Sequence, residues 1–287
     1  MKNKKRPFFV MIMLLSFFVS LAGPGTAAAE VKLGILPRLS PMEMATMFNP
    51  LAEYLSQEIG EKVSMVIPKD FAAFKEVVKS EQIDIAFSNP LIYIQLKKEV
   101  GVEPIALSSE FKNGTRFRGI IIARKDSGIE KLQELKGKKL IFVDKDSAAG
   151  YIFQMLLLSK SGLDVKKDFT QMPFAKKHDN VIMAVFNKTA DAGGIREDDL
   201  DKMKDKVDLS QIKIVGYTDY FPNWPVFARS KLSKTTIDKI RAAMLKLTPN
   251  SSQSKAILGA AHLTGFVAVS DKDFEKLRKA AALADAL

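Results

Sequence analysis

The sequence contains no cysteine among its 287 residues. It therefore has no disulfide, no thiol nucleophile, no lipidated cysteine and no cysteine-ligated metal site. No second histidine or acid stands at metal-ligand spacing from either of its two histidines, which argues against a zinc site. A G-x-S-x-G motif and a P-loop are also missing. We expect neither a metal nor another cofactor.

Long apolar runs are equally scarce. One run covers residues 8–22, after a basic start that contains Lys2, Lys4, Lys5 and Arg6 and ahead of small residues that end at Ala29. This pattern predicts a Sec-type signal peptide over residues 1–29, cleaved near Ala29, and a periplasmic location. A membrane anchor is the alternative, but the run is short for a spanning helix.

Blocks of positive charge are missing as well. The formal net charge is +11, and the four cations of the signal leave +7 for the mature chain. The lysines are spread along the chain among acids, without interleaved aromatic residues, so we expect no nucleic-acid partner. The mild excess suits an anionic ligand or a negatively charged membrane surface.

Apolar segments of strand and helix type alternate along the mature chain. The first series has strands at 31–36, 63–67, 83–87 and 105–107, and the second has strands at 119–123, 140–143, 190–193 and 212–215. The intervening helices include one after Asp70, one capped by Ser127, one after Gly150 and one at 179–186. Two more helices begin near Ser233 and Ser270, and Pro50 either lies within the first helix or opens a second. The pattern predicts two α/β lobes with a cleft between them.

The stretch DKDSAAGYIFQ, residues 144–154, joins an apolar strand to a helix through very small side chains. The backbone is accessible where a helix begins, because the side chains there are very small: Ser147, Ala148, Ala149 and Gly150. Free N–H groups and the helix dipole make such a turn an anion site. The alternative is an ordinary strand–helix turn in which Ser147 is the N-cap.

Further candidates stand at other predicted junctions. His178 precedes an apolar helix and is either an oxyanion donor or a structural hydrogen bonder. Ser88 and Asn89 follow a strand, and Tyr93 comes one helical turn later, so the three either line the cleft or begin a helix. Asp191 lies on a short strand among small neighbours, where a backbone must come close.

Two further features carry alternatives of their own. Trp224, the only tryptophan, either lines the cleft or braces a crossover between prolines. A catalytic trio could be composed from Ser147, His178 and Asp191, but chains of this length supply such a trio by chance.

Eight segments of the chain, taken in order, carry a resemblance to a known family. They are LGILPRLSP, PLAEYLSQEIG, DIAFSNPLIY, FRGIIIARKDSGI, LKGKKLIFVDKDSAAGY, KKHDNVIMAV, ADAGGI and NWPVFA. The family that they resemble is the periplasmic phosphonate-binding proteins of ABC importers. The resemblance covers nearly the whole mature chain. It implies a type II periplasmic-binding-protein fold with two crossover strands. We expect one lobe from residues 30–110 plus 222–287 and the other from 111–221.

The resemblance also implies a function without catalysis. We expect a monomeric carrier that binds a phosphonate, phosphite or phosphate-like oxyanion and delivers it to a membrane permease. The alternatives are a sensing subunit for a membrane receptor and a binder of another small molecule on the same fold.

The ligand residues implied by the resemblance are Ser147, Ala148, Ala149, Tyr93, His178, Asp191, Ser88 and Asn89. Asp191 would accept a hydrogen bond from a P–OH group or a ligand ammonium, and so discriminate against sulfate. The family usually carries hydroxyls where this chain has Ala148 and Ala149, which leaves only backbone donors there.

Overall fold

The computed structural model describes residues 30–164, 166–283 and 286–287. The expected signal peptide lies outside these residues. No helix in the described part of the chain has the length and apolar character that a membrane span requires.

The N-terminal stretch alternates strands and helices as the sequence predicts. Its elements are β1 (Glu30–Ile35), α1 (Pro41–Ile59), β2 (Lys62–Val66), α2 (Phe71–Lys79), β3 (Ile85–Phe87), α3 (Pro90–Val100) and β4 (Glu103–Glu110). Helix α1 begins at a capping box in which Ser40 and Glu43 bond each other's backbone N–H, and it ends at Gly60, whose φ is +74°. Pro50 lies inside this single helix, because its buried apolar stripe continues on both sides.

The middle stretch forms a second layer of strands and helices. It contains β5 (Arg116–Phe117), β6 (Gly119–Arg124), β7 (Lys139–Ile141), α4 (Phe153–Lys160), β8 (Thr170–Gln171), α5 (His178–Phe186), β9 (Ala192–Arg196), α6 (Glu197–Asp201) and β10 (Ile212–Tyr217). The α-helix expected after Ser127 is wrong. Two short 3₁₀ turns replace it, because Gly128 adopts a φ of +72° directly after the first.

The C-terminal stretch returns to the first layer. Its elements are β11 (Phe221–Pro222), β12 (Pro225–Ala228), α7 (Lys234–Lys246), α8 (Ser252–Ala260), β13 (Leu263–Val267) and α9 (Glu275–Leu283). Ser233 caps α7 as predicted, and Ser270 caps a 3₁₀ turn that leads into α9. The sequence analysis missed α8.

Two sheets organise these elements. The larger has the order β13-β4-β12-β3-β1-β2, and the smaller has the order β10-β6-β9-β7-β8. Strands β5 and β11 form a separate antiparallel pair where the chain crosses between the sheets in each direction. These two α/β lobes with two crossover strands confirm the predicted type II architecture.

Parallel strands at the centre of each sheet place their carboxyl ends toward the other sheet's layer. β1 and β3 run parallel in the first sheet, and β7 and β9 run parallel in the second. Side chains that follow these strands, such as Asn89 after β3 and Arg196 at the end of β9, therefore meet between the layers.

Candidate functional site

A small cavity lies between the two sheets. Its volume in this form is about 10 Å³, roughly the space that a single water molecule needs. A larger ligand therefore fits only when the lining moves apart. Its lining residues come from both layers and from β5, and they are Phe71, Asn89, Phe117, Ser147, Ala148, Ala149, His178, Arg196 and Trp224.

The turn at residues 144–150 presents bare backbone to this cavity. Ser147 is the N-cap, and its Oγ accepts a hydrogen bond from Gly150 N at 3.1 Å. The helix opens with a π turn, Ala148–Ile152, and continues as α4. The N–H groups of Ala148 and Ala149 have no protein acceptor among the described residues. The turn therefore has the donor arrangement of an anion site.

Gly150 is required because the helix packs closely on the preceding strand. A Cβ added at Gly150 would lie 2.4 Å from Val143 Cγ2 and 2.7 Å from Ser147 Oγ. The small residues of this turn therefore serve two purposes: Gly150 allows the close packing, and Ala148 and Ala149 line the cavity.

His178 is the first residue of α5 and is buried. Its Nδ1 accepts a hydrogen bond from Arg196 N at 3.0 Å, which assigns the ring proton to Nε2. Burial lowers the pKa of His178 to about 4, although the nearby Asp199 carboxylate acts in the opposite direction. The imidazole is therefore neutral at physiological pH and offers one N–H donor.

Two buried arginines surround the cavity with positive charge. Arg196 forms ion pairs with Glu110 and with Asp198, and its guanidinium lies 4.7 Å from the Phe117 ring centroid. Burial opposes the charge of Arg196, but these carboxylates outweigh burial and raise its pKa.

Arg38 is the second of these arginines. Its Nη1 donates to Asp199 Oδ1 at 2.6 Å, and its guanidinium lies 5.5 Å from the Trp224 ring. Arg38 follows β1 and Asp199 belongs to α6, so this buried pair joins the two layers.

Five of the eight predicted ligand residues line the cavity: Asn89, Ser147, Ala148, Ala149 and His178. Asn89 caps α3 through its Oδ1, and its Nδ2 donates to Asp146 O at 3.1 Å, across to the other layer. No ligand is present, so the binding role of these residues stays a prediction.

Tyr93 and Ser88 do not line this cavity, and their binding role stays a prediction. The Tyr93 ring packs against Phe227 and Phe274, and its hydroxyl donates to Asp271 Oδ1 at 2.6 Å. Burial, with this hydrogen bond, raises the pKa of Tyr93. Ser88 is buried one residue before the lining, and its hydroxyl donates to Asn89 O at 3.0 Å.

Asp191 does not line this cavity either, and its binding role stays a prediction. It is exposed just before β9, and its Oδ2 accepts from Lys139 N at 2.7 Å. The cavity faces the carboxyl end of β9, where Arg196 stands, so Asp191 is at the opposite edge of the sheet. The possible trio of Ser147, His178 and Asp191 is consequently not assembled.

Sequence reasoning missed Arg196, Phe71 and Phe117 as lining residues and left Trp224 undecided. The signal for Arg196 was available, because it is the last residue before the acidic segment EDDL and ends an apolar strand. Trp224 lines the cavity, and its buried Nε1 has no hydrogen-bond partner among the described residues.

Comparison with known proteins places the chain in a family. Residues 33–274 match the model for the periplasmic substrate-binding protein of phosphonate ABC transporters. The chain belongs to this family.

Individual relatives agree with this assignment. The chain is 28% identical to the phosphate-import protein PhnD of Mycolicibacterium smegmatis, over 74% of this chain and 70% of that protein. It is 24% identical to the phosphonates-binding periplasmic protein of Escherichia coli K12, over 95% and 82% of the two chains. It is 23% identical to the tetrathionate sensor histidine kinase TtrS of Salmonella typhimurium, over 79% of this chain but 41% of the kinase.

A solved structure shows the same fold. PhnD1 from Prochlorococcus marinus, in complex with methylphosphonate, superposes with a TM-score of 0.81. The two sequences are 17% identical, and the match covers 90% of this chain and 99% of the other.

Proposed function

We propose that this protein is the extracytoplasmic binding component of an ABC importer, and that it holds a phosphonate, phosphite or phosphate-like oxyanion in the interlobe cavity. The observation that carries this proposal is the helix N-terminus at Ser147. The N–H groups of Ala148 and Ala149 have no protein acceptor in the described part of the chain, and both residues line the cavity. The family and the phosphate- and phosphonate-binding relatives support it.

The proposed binding uses fixed donors and no catalysis. Each N–H group near a helix N-terminus favours an anion, and a charge-assisted hydrogen bond is roughly twice as strong as a neutral one. His178 has its Nδ1 lone pair occupied by Arg196 N, so it is not available as a general base beside Ser147. These contacts support a carrier that is not an enzyme.

The proposed lobes are residues 30–110 plus 222–287, and residues 111–221, which would close by a hinge at β5 and β11. Polar contacts already join the two layers: Lys75 Nζ lies 2.9 Å from Asp146 Oδ2, and Lys206 Nζ lies 3.6 Å from Glu43 Oε1. Together with the Arg38–Asp199 pair, they describe a closed form.

We further propose that the closed monomer docks on a membrane permease after the leader has been removed near Ala29. A sensing subunit is the second candidate, because one relative is a tetrathionate sensor kinase. That kinase is much longer than this chain, so the carrier remains our choice.

The test is a titration of the mature chain, residues 30–287, after bound ligand has been removed by unfolding and refolding. Calorimetry with phosphite, methylphosphonate, phosphate and sulfate measures affinity, and Trp224 fluorescence gives a second signal because Trp224 is the only tryptophan. We expect micromolar or tighter binding of at least one phospho-anion.

A matched pair of variants locates the site. Ala149→Asp places a carboxylate in the cavity and should abolish anion binding, whereas Ala242→Asp places it on the exposed face of α7 and should leave binding unchanged. Thermal unfolding of both variants checks that they are folded. Anion binding that survives in folded Ala149→Asp would contradict the proposed site.

A further inference from the structure

The side-chain acceptors of the cavity lining already bond the protein's own backbone. Asn89 Oδ1 accepts from Ile92 N at 3.0 Å, and Ser147 Oγ accepts from Gly150 N at 3.1 Å. His178 Nδ1 accepts from Arg196 N at 3.0 Å, which uses its single lone pair. The acceptor capacity that is left on Asn89 and Ser147 is uncharged, so a ligand hydrogen finds no strong side-chain acceptor in the lining.

The donors of the lining, in contrast, lack partners among the described residues. They are the backbone N–H groups of Ala148 and Ala149, His178 Nε2, Arg196 Nη1 and Trp224 Nε1. Trp224 Nε1 is the one side-chain donor of this set that is fully buried without a hydrogen-bond partner among the described residues, so water does not satisfy it. Unpaired buried donors are costly unless a ligand supplies acceptors.

The lining also contains no carboxylate. Glu110 and Asp198 are paired with Arg196, and Asp199 Oδ1 accepts from Arg38 and Lys202. Asp199 Oδ2 has no hydrogen bond among the described residues. It lies 3.7 Å from His178 Nδ1, on the side of the ring where Arg196 N donates. Asp199 lines a neighbouring groove instead of the cavity, so this oxygen is not offered to a ligand there.

The cavity wall also contains the rings of Phe71, Phe117 and Trp224, which suit an apolar group. We propose that the cavity selects a fully deprotonated tetrahedral oxyanion with a small apolar substituent, and disfavours ligands that carry a P–OH group or an ammonium. The inference rests on the proposed function and narrows its ligand. A sulfonate and a doubly ionised phosphonate share this chemistry. A ligand hydrogen without an acceptor lowers affinity by roughly tenfold or more.

The experiment compares ligands on the wild-type protein by calorimetry, at about pH 5.5 and about pH 9, on either side of the second ionisation of a phosphonate. Methylphosphonate should bind at least tenfold more tightly at the higher pH, because only there is it without a P–OH group. Methanesulfonate carries one charge at both pH values and controls for titration of the protein. At the higher pH, tighter binding of methylphosphonate identifies the ligand as a phosphonate, and tighter binding of methanesulfonate identifies it as a sulfonate.

A second pair of ligands separates ammonium from size. 2-Aminoethylphosphonate and n-propylphosphonate have nearly the same shape, and the ammonium compound should bind at least tenfold more weakly. Methylphosphonate that binds equally well at both pH values, or an aminophosphonate that matches its apolar counterpart, would overturn this inference. Absence of binding by every anion would instead overturn the proposed function itself.

A conservative variant tests the buried donors directly. Trp224→Phe keeps an aromatic wall but removes Nε1–H, and methanesulfonate affinity should fall roughly tenfold to a hundredfold. Thermal unfolding verifies that the variant is folded. Unchanged affinity in a folded variant would overturn the assignment of Trp224 as a ligand donor.

Discussion

Gly150 and Gly259 form a pair in which the same substitution should have opposite effects. Both glycines lie within helical segments. A Cβ at Gly150 would approach Val143 Cγ2 to 2.4 Å and Val143 Cβ to 2.8 Å, whereas a Cβ at Gly259 would meet nothing within 4 Å. Valine is stiff at χ1, so Val143 cannot turn away without moving its strand.

The magnitudes follow from two terms. Alanine in place of a helical glycine contributes up to about 1 kcal/mol to the free energy of unfolding. Overpacking in a tight core costs about 1–3 kcal/mol. Gly259→Ala should therefore be stabilising, and Gly150→Ala should be less stable than Gly259→Ala by about 1–3 kcal/mol.

Urea and thermal unfolding, followed by circular dichroism, measure this difference. Gly150→Ala should also weaken anion binding, because the new Cβ would lie 2.7 Å from Ser147 Oγ. Equal stabilisation by the two substitutions would refute the close packing of this turn on Val143.

Two further predictions concern buried charge. Asp199→Asn leaves Arg38, which is 4% exposed, without its carboxylate, and should lower the free energy of unfolding by about 3–5 kcal/mol in urea unfolding. Adding Arg38→Met should restore part of that loss, and equal losses would contradict the argument. Burial lowers the pKa of His178 from 6.5 to about 4. Between these pH values the unfolded chain binds more protons than the folded chain. The free energy of unfolding should therefore fall by about 3 kcal/mol as the pH drops from 6.5 to about 4. In chemical unfolding at several pH values, His178→Gln should flatten this dependence. Partial burial also lowers the pKa of His262, so His262→Gln should flatten the dependence, but less than His178→Gln does. Equal slopes in both variants would count against His178.

The strand–helix alternation and the small-residue turn at Ser147 could be predicted because each has a local cause, whereas the anion role of that turn stays a prediction. Ser147 and Asp70 are N-caps in both the sequence analysis and the structure, since capping depends on a few neighbouring residues. The strand starts and ends differ by one to three residues, as at the third strand, which begins at Ile85 instead of residue 83.

The direction in which a side chain faces was harder to predict. Helix α3 is buried on most of its surface, so its periodicity gives no inner face, and Tyr93 was assigned to the cleft although it packs on Phe227. Asp191 was expected on a strand at residues 190–193, but it precedes β9, and the far end of β9 faces the cavity. The orientation of the Arg196 side chain is set by contacts with Glu110 and Asn223, which are distant in sequence. The local sequence therefore marks Arg196 as the end of a strand but does not predict where its side chain points.

The two crossings of the chain determine when each sheet can be completed during synthesis. All strands of the smaller sheet lie between residues 119 and 217. β12 inserts between β3 and β4 in the larger sheet, so the two earlier strands keep unpaired edges until residues 225–228 have been made. The half that begins first is therefore finished last, and a chain released before β12 would expose those edges to chaperones and to other chains.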